Sequence, residues 1–128
     1  MEALPTRSSE AYALAPPKRI LVVDDDPAIR AVLAAFLEME GYQVAPARDG
    51  RDALLKAKLE RPDLVVLDLM MPSMSGWGFL SEQAKDPTLA GIPVVVASSF
   101  TCRLKVAAHL QKPYGLETLL ATIRRLAA

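Results

Sequence analysis

The residues of this chain best suited to chemistry are three carboxylates, a hydroxyl and an ammonium, each closing a hydrophobic run. Asp24 and Asp25 follow Ile20-Leu21-Val22-Val23 in "ILVVDDDP", Asp68 closes "LVVLD", Ser98 closes "VVVAS", and Lys112 ends "AAHLQK". Two carboxylates about 4 Å apart repel by roughly 4 kcal/mol at an effective dielectric near 20, so clustered carboxylates call for a cation. Mg2+ suits them. It takes oxygen ligands, keeps several waters, and is typically held by one or two carboxylates plus a phosphate. A serine hydroxyl and a lysine ammonium suit the oxygens of a phosphoryl group. A carboxylate can also act as nucleophile and form an aspartyl-phosphate. On this reading Asp24 and Asp25 hold the metal and Asp68 receives the phosphoryl group. Asp26, directly before Pro27, has the separate job of starting a helix.

The elements that must position these groups alternate along the chain. Ile20 to Val23 is a continuous apolar run, as expected of a strand buried on both faces. Ile29, Val32, Leu33, Phe36 and Leu37 then recur at helical spacing, and Gly41 stops that helix. "YQVAPA" from Tyr42 reads as a second strand, Asp49-Gly50 as a turn, and Ala53, Leu54 and Ala57 as a helix face broken at Pro62-Asp63. A third strand starts at Leu64. A loop through Gly76 leads to a helix with Phe79, Leu80 and Ala84. A fourth strand starts at Ile92 and ends on Ser98-Ser99. A fifth runs from Ala107 to Lys112. Leu116, Leu119, Leu120, Ile123 and Leu126 mark the last helix. The alternation predicts an α/β fold with a five-stranded parallel, doubly wound sheet covered on both faces. Such sheets bind ligands beyond the carboxyl ends of their strands, where the five chemical residues would converge.

With 128 residues, 52% of them hydrophobic, the chain has the size and core of one domain. Its 15 basic and 15 acidic residues cancel, which gives no reason to expect direct nucleic-acid or membrane-surface binding. No apolar stretch approaches the roughly 18 residues of a membrane span. The single cysteine, Cys102, excludes an internal disulfide and fits a reducing cytoplasm. Residues 1–17 read as a flexible tail with no secretory signal, and residues 18–128 as the folded domain.

"ILVVDDDPAIR", "VVLDLMMPSMSG", "VVVASS" and "LQKPY" together resemble, in order, the signature regions of receiver (response-regulator) domains of two-component signalling, including free-standing chemotaxis receivers. The resemblance covers residues 18 to 128. It implies a flavodoxin-like strand order 2-1-3-4-5, with Asp68 phosphorylated in a Mg2+-dependent reaction. The phosphoryl donor would be a histidine kinase or a histidine phosphotransfer protein. Phosphorylation would switch a downstream protein partner or pass the group on in a phosphorelay. By the same resemblance Asp25, Asp68 and the Met70 backbone carbonyl bind Mg2+ directly, and Asp24 acts mainly through water. Ser98 senses the phosphoryl group, Lys112 pairs with it, and the Lys112-Pro113 bond is cis. Met70 and Phe100 stand two residues past Asp68 and Ser98. Neither is able to orient a hydrolytic water, which implies a long-lived phosphorylated state.

Two departures accompany the resemblance. Fourteen positions separate Ser98 from Lys112, about two helical turns fewer than relatives use, so the fourth helix is expected to be shortened or missing. That region belongs to the family's usual output and dimerisation surface, so oligomeric state and partner contacts are not carried over. His109 stands where relatives often have a switching Tyr or Phe. Its plainer reading is a partly exposed strand residue. Two other functions remain open. One is a pseudo-receiver that docks partners constitutively. The other is an aspartate-nucleophile phosphatase of the haloacid-dehalogenase type with Asp24 as nucleophile, although no substrate-covering cap is evident.

Overall fold

A computed structural model of the chain describes residues 16–69, 75–99 and 106–127. Five strands, β1 (Arg19–Val23), β2 (Gln43–Ala47), β3 (Leu64–Asp68), β4 (Val94–Ser98) and β5 (Ala108–Gln111), form one sheet of order β2-β1-β3-β4-β5. Every pairing is parallel, with Ile20 opposite both Val44 and Leu64, Val66 opposite Val95, and Val96 opposite His109. Among the described residues four helices cover it: α1 (Pro27–Met39), α2 (Gly50–Leu59), α3 (Gly76–Lys85) and α4 (Leu116–Leu126).

Side chains alternate across a strand, and the core divides accordingly. Leu21, Val23, Val65, Leu67, Val94 and Val96 pack on one face with Ala53 and Ala57 of α2 and Phe79 of α3. Ile20, Val22, Leu64, Val66 and Val95 pack on the other with Leu33 and Leu37 of α1 and Leu119, Leu120 and Ile123 of α4. Burial on both sides explains why the central strands read as unbroken apolar runs.

Local chemistry fixes the helix ends. The Asp26 carboxylate accepts from the N–H groups of Ala28 (2.9 Å) and Ile29 (3.4 Å), with Pro27 in the first turn. At the other end Gly41 has φ +99°, a left-handed conformation that costs glycine least. Its N–H bonds the Glu38 carbonyl while Tyr42 N–H bonds that of Leu37, which closes α1 in a Schellman motif. Asp49, expected in a turn, is the N-cap of α2 and accepts from Asp52 N–H at 2.8 Å. The buried Gln83 amide donates to the carbonyls of Leu89 (2.9 Å) and Ile92 (3.0 Å), pinning the turn that feeds β4. The β2 strand forms one edge of the sheet and contains Pro46, whose carbonyl accepts from Lys56 Nζ.

Several expectations shift. Ile29 and Val32 share the helical spacing of α1 but stay exposed, at 38% and 55%. Helical periodicity selects a stripe wider than the sheet can cover. Ala84 is likewise exposed. Gly76 opens α3 instead of lying in the preceding loop, with Ser75 as N-cap. No helix is present between β4 and β5 among the described residues. Nine positions connect the two strands, below the dozen or so a helical crossover usually takes. Of these, 100–105 lie outside the described residues, as do Met70, Phe100, Cys102 and positions 1–15 of the expected tail.

Candidate functional site

The carboxyl ends of β1, β3, β4 and β5 lie side by side, and the order of the strands determines which residues meet. Asp24 follows β1 directly, and its N–H bonds the Ala47 carbonyl of β2 at 3.1 Å. Asp68 is the last residue of β3, and Ser98 the last of β4. Lys112 follows β5, held by a bond from its N–H to the Ser98 carbonyl at 2.6 Å. The Lys112–Pro113 peptide is cis.

Three carboxylates converge there. Asp24, Asp25 and Asp68 each offer an oxygen within 4.8 Å of the others'. Asp24 and Asp68 are buried while Asp25 is exposed. Lys112 Nζ lies 3.5 Å from Asp68 Oδ1 and 3.9 Å from Asp24 Oδ2. Ionised, three carboxylates and one ammonium carry a formal charge of −2, and the donors are all hard oxygens. Both properties fit a divalent Mg2+ ion. Asp26 turns away to its capping role.

Burial pushes the Asp24 carboxyl above its ordinary range. Asp68 and Asp25 push the same way, while the Asp26 N–H at 2.9 Å and Lys112 oppose them. Burial also raises the Tyr114 phenol, with help from Asp24 and Asp68. The folded protein therefore binds the Asp24 proton more tightly than the unfolded chain does. Stability from this group is greatest below the unfolded value near 3.8 and falls as pH rises through the folded one. Asp24→Asn, whose amide oxygen can still accept from Asp26 N–H, is expected to raise the midpoint of thermal unfolding by about 2–5 °C at neutral pH without divalent ions. The difference should close as pH falls below about 4. Melting curves across pH check this, and a variant less stable than wild type at neutral pH would contradict it.

Two contributors, Arg30 and Gly76, carry no sequence signal. Arg30 on α1 reaches back to donate to the Asp24 carbonyl at 2.7 Å. Gly76 N–H bonds the Leu69 carbonyl at 3.0 Å. A Cβ at Gly76 would lie 2.6 Å from the Asp68 carbonyl oxygen and 2.7 Å from Leu69 Cα, so only glycine allows this approach. Ser98 Oγ lies 2.7 Å from His109 Nε2, bringing together two residues singled out separately in the sequence. Met70, the expected carbonyl ligand, lies outside the described residues. An apolar groove of about 500 Å³ opens beside Lys112, lined by Ile29, Val32, Leu33, Tyr114 and Leu116 among others.

Comparison with known proteins agrees with this geometry. The family model for the response regulator receiver domain matches residues 20–124. The probable transcriptional regulator ycf27 of Cyanophora paradoxa is 41% identical over 117 residues, covering 85% of this chain and 48% of that protein. Protein PilH of Pseudomonas aeruginosa is 36% identical over 118 residues, covering 86% of this chain and 98% of PilH. The chain thus spans about half the length of several curated relatives and nearly all of another. Among solved structures, chemotaxis protein CheY4 of Vibrio cholerae superimposes with a TM-score of 0.81 at 31% identity, over 87% of this chain and 99% of CheY4.

Proposed function

The chain belongs to the response regulator receiver domain family, and on that premise we propose that Asp68 is its phosphoacceptor, with Asp24, Asp25, Ser98 and Lys112 as the groups that serve it. Receiver domains are phosphoacceptor signalling modules that interact with histidine kinases and downstream effectors, and they bind Mg2+ at an acidic pocket. The convergence of the Asp24, Asp25 and Asp68 oxygens with Lys112 Nζ is the observation that carries the assignment. Family membership favours neither the phosphatase nor the pseudo-receiver reading.

In the proposed reaction an Asp68 carboxylate oxygen attacks phosphorus of a phosphohistidine donor. The P–N bond breaks with its electron pair going to the donor nitrogen, and the leaving imidazole takes a proton from solvent. Asp24, Asp25 and Asp68 would hold Mg2+, with the Met70 carbonyl as a further ligand proposed from the family. Bound there, the ion would neutralise charge on the transferring oxygens. Lys112, already beside Asp68, stabilises negative charge on the same oxygens. Ser98 donates its hydroxyl hydrogen to a phosphoryl oxygen, and the new contacts at Ser98 and Lys112 bias the loops that a partner reads. Residues 1–17 are proposed to lie outside this unit, which operates in a cytoplasmic setting. No helix among the described residues is long and apolar enough to cross a membrane.

The test uses a small phosphodonor such as phosphoramidate. One base-labile phosphoryl group per chain is expected with Mg2+, and none with a chelator. Asp25→Asn should weaken Mg2+ binding at least about tenfold, a loss of about 1.4 kcal/mol. Asp26→Asn should leave it intact, because asparagine also caps helices. Equal loss in both variants would refute the division of labour, and continuing turnover of the donor into free phosphate would favour a phosphatase.

A further inference from the structure

The contact between Ser98 and His109 joins the proposed phosphoryl site to a titratable ring. Register sets Val96 opposite His109 and Ser98 opposite Gln111. The two side chains are therefore diagonal neighbours on the sheet face that carries Val94 and Val96. Ser98 is 1% exposed, whereas His109 is half-buried. At 2.7 Å the hydroxyl and Nε2 share one hydrogen bond. A serine hydroxyl has one hydrogen to give. When the ring is neutral and protonated on Nδ1, Nε2 accepts that hydrogen. When Nε2 carries a proton, in the other tautomer or in the imidazolium, the ring donates to Oγ and the hydroxyl hydrogen turns to a different acceptor.

We propose that His109 is a positioning residue: it sets the direction of the Ser98 O–H and so ties occupancy of the Asp68 site to the protonation of its imidazole. The proposal rests on the reading of Asp68 as phosphoacceptor and Ser98 as its hydroxyl contact. A phosphoryl oxygen that takes the Ser98 hydrogen favours a ring that donates, and the charged ring is the stronger donor. Linkage makes the effect reciprocal. If occupancy tightens proton binding by His109, acidification through the imidazole range tightens occupancy by the same factor. Among the described residues the surroundings leave few competitors. On the His109 face β4 presents Val94, Val96 and Ser98, none of them titratable. On the opposite face Ala108 and Leu110 meet the apolar cluster of α4. On the same face as His109, α3 carries Glu82 and Lys85, which pair with each other at 3.5 Å in solvent. The charged groups of the adjoining strand ends are Asp68 and Lys112, which pair with each other.

The chain has one histidine, so its imidazole resonances report His109 alone. The ring is titrated by NMR from about pH 5 to 9 with Mg2+, with and without beryllofluoride as a phosphoryl mimic. Trp77 fluorescence follows beryllofluoride binding. In wild type the His109 midpoint is expected to rise by about half a unit on binding, and affinity to increase by up to about threefold from pH 8 to pH 6. Ser98→Ala should remove more than half of the rise, and His109→Gln should make affinity flat over that range. An unmoved wild-type midpoint in the presence of binding overturns this proposal alone. So does a rise that survives undiminished in Ser98→Ala, which would mark a through-space field effect. Failure of wild type to bind beryllofluoride at any pH overturns the phosphoacceptor reading and this proposal with it.

Discussion

Asp68→Asn is expected to reduce phosphoryl incorporation from one group per chain to none, a loss of at least about a thousandfold in rate, or about 4 kcal/mol of transition-state stabilisation. The amide is nearly isosteric with the carboxylate, so the end of β3 keeps its shape. Its oxygen is a poor nucleophile, and its attack would not leave a stable acyl-phosphate. The variant also loses one charge of the −2 cluster and the ion pair to Lys112 Nζ at 3.5 Å. Mapping the base-labile label to peptides provides the check. Undiminished labelling in Asp68→Asn would sink the assignment. Label recovered on Asp24 would instead revive the phosphatase reading, since Asp24 is the other buried carboxylate of the cluster.

Gly76→Ala is expected to lower stability by about 1–3 kcal/mol, the usual range for overpacking, and the unfolding midpoint by about 5–15 °C. The added methyl meets the Asp68 carbonyl oxygen at 2.6 Å and Leu69 Cα at 2.7 Å. Both are backbone atoms and cannot swing aside as a side-chain tip would. Alanine gains in helix propensity and in unfolded-state entropy, together about 1 kcal/mol or less. The clash outweighs that gain. Relief would come from moving the peptide that carries Asp68, so labelling should slow even in protein that remains folded. Gly91→Ala is the control, because the nearest atom to its new Cβ is Arg61 Nη2 at 4.0 Å. If both variants melt alike, the close approach at Gly76 has no energetic weight.

These residues divide by how far their placement can be seen in sequence. Asp24, Asp68, Ser98 and Lys112 were legible because each ends an apolar run, and parallel sheets bring such ends together. The strands were legible because burial on two faces suppresses alternation. Arg30, Gly76 and Gln83 were not, because they act on backbone atoms, which carry no residue-type signal. Arg30 and Gln83 donate to carbonyls, and Gly76 makes room for one. Ile29 and Val32 misled, since helical spacing shows which residues share a side but not how wide the covered strip is. His109 was visible as a departure, yet its bond to Ser98 depends on the register of β5 against β4, which follows from the sheet and not from either residue.

Pro46 has a consequence for how this molecule behaves in a crowded solution. A parallel sheet open at both ends offers its outermost strands as templates on which another chain can add a strand, the first step toward fibrous association. In β2 the Ala47 carbonyl points inward, to Asp24 N–H, so the groups of Pro46 point outward. Proline has no N–H to offer there, and Lys56 occupies its carbonyl. A foreign strand approaching that side loses one donor and finds one acceptor taken, in a stretch only five residues long. Replacing Pro46 with valine would restore the missing donor and turn a blunted margin into an adhesive one.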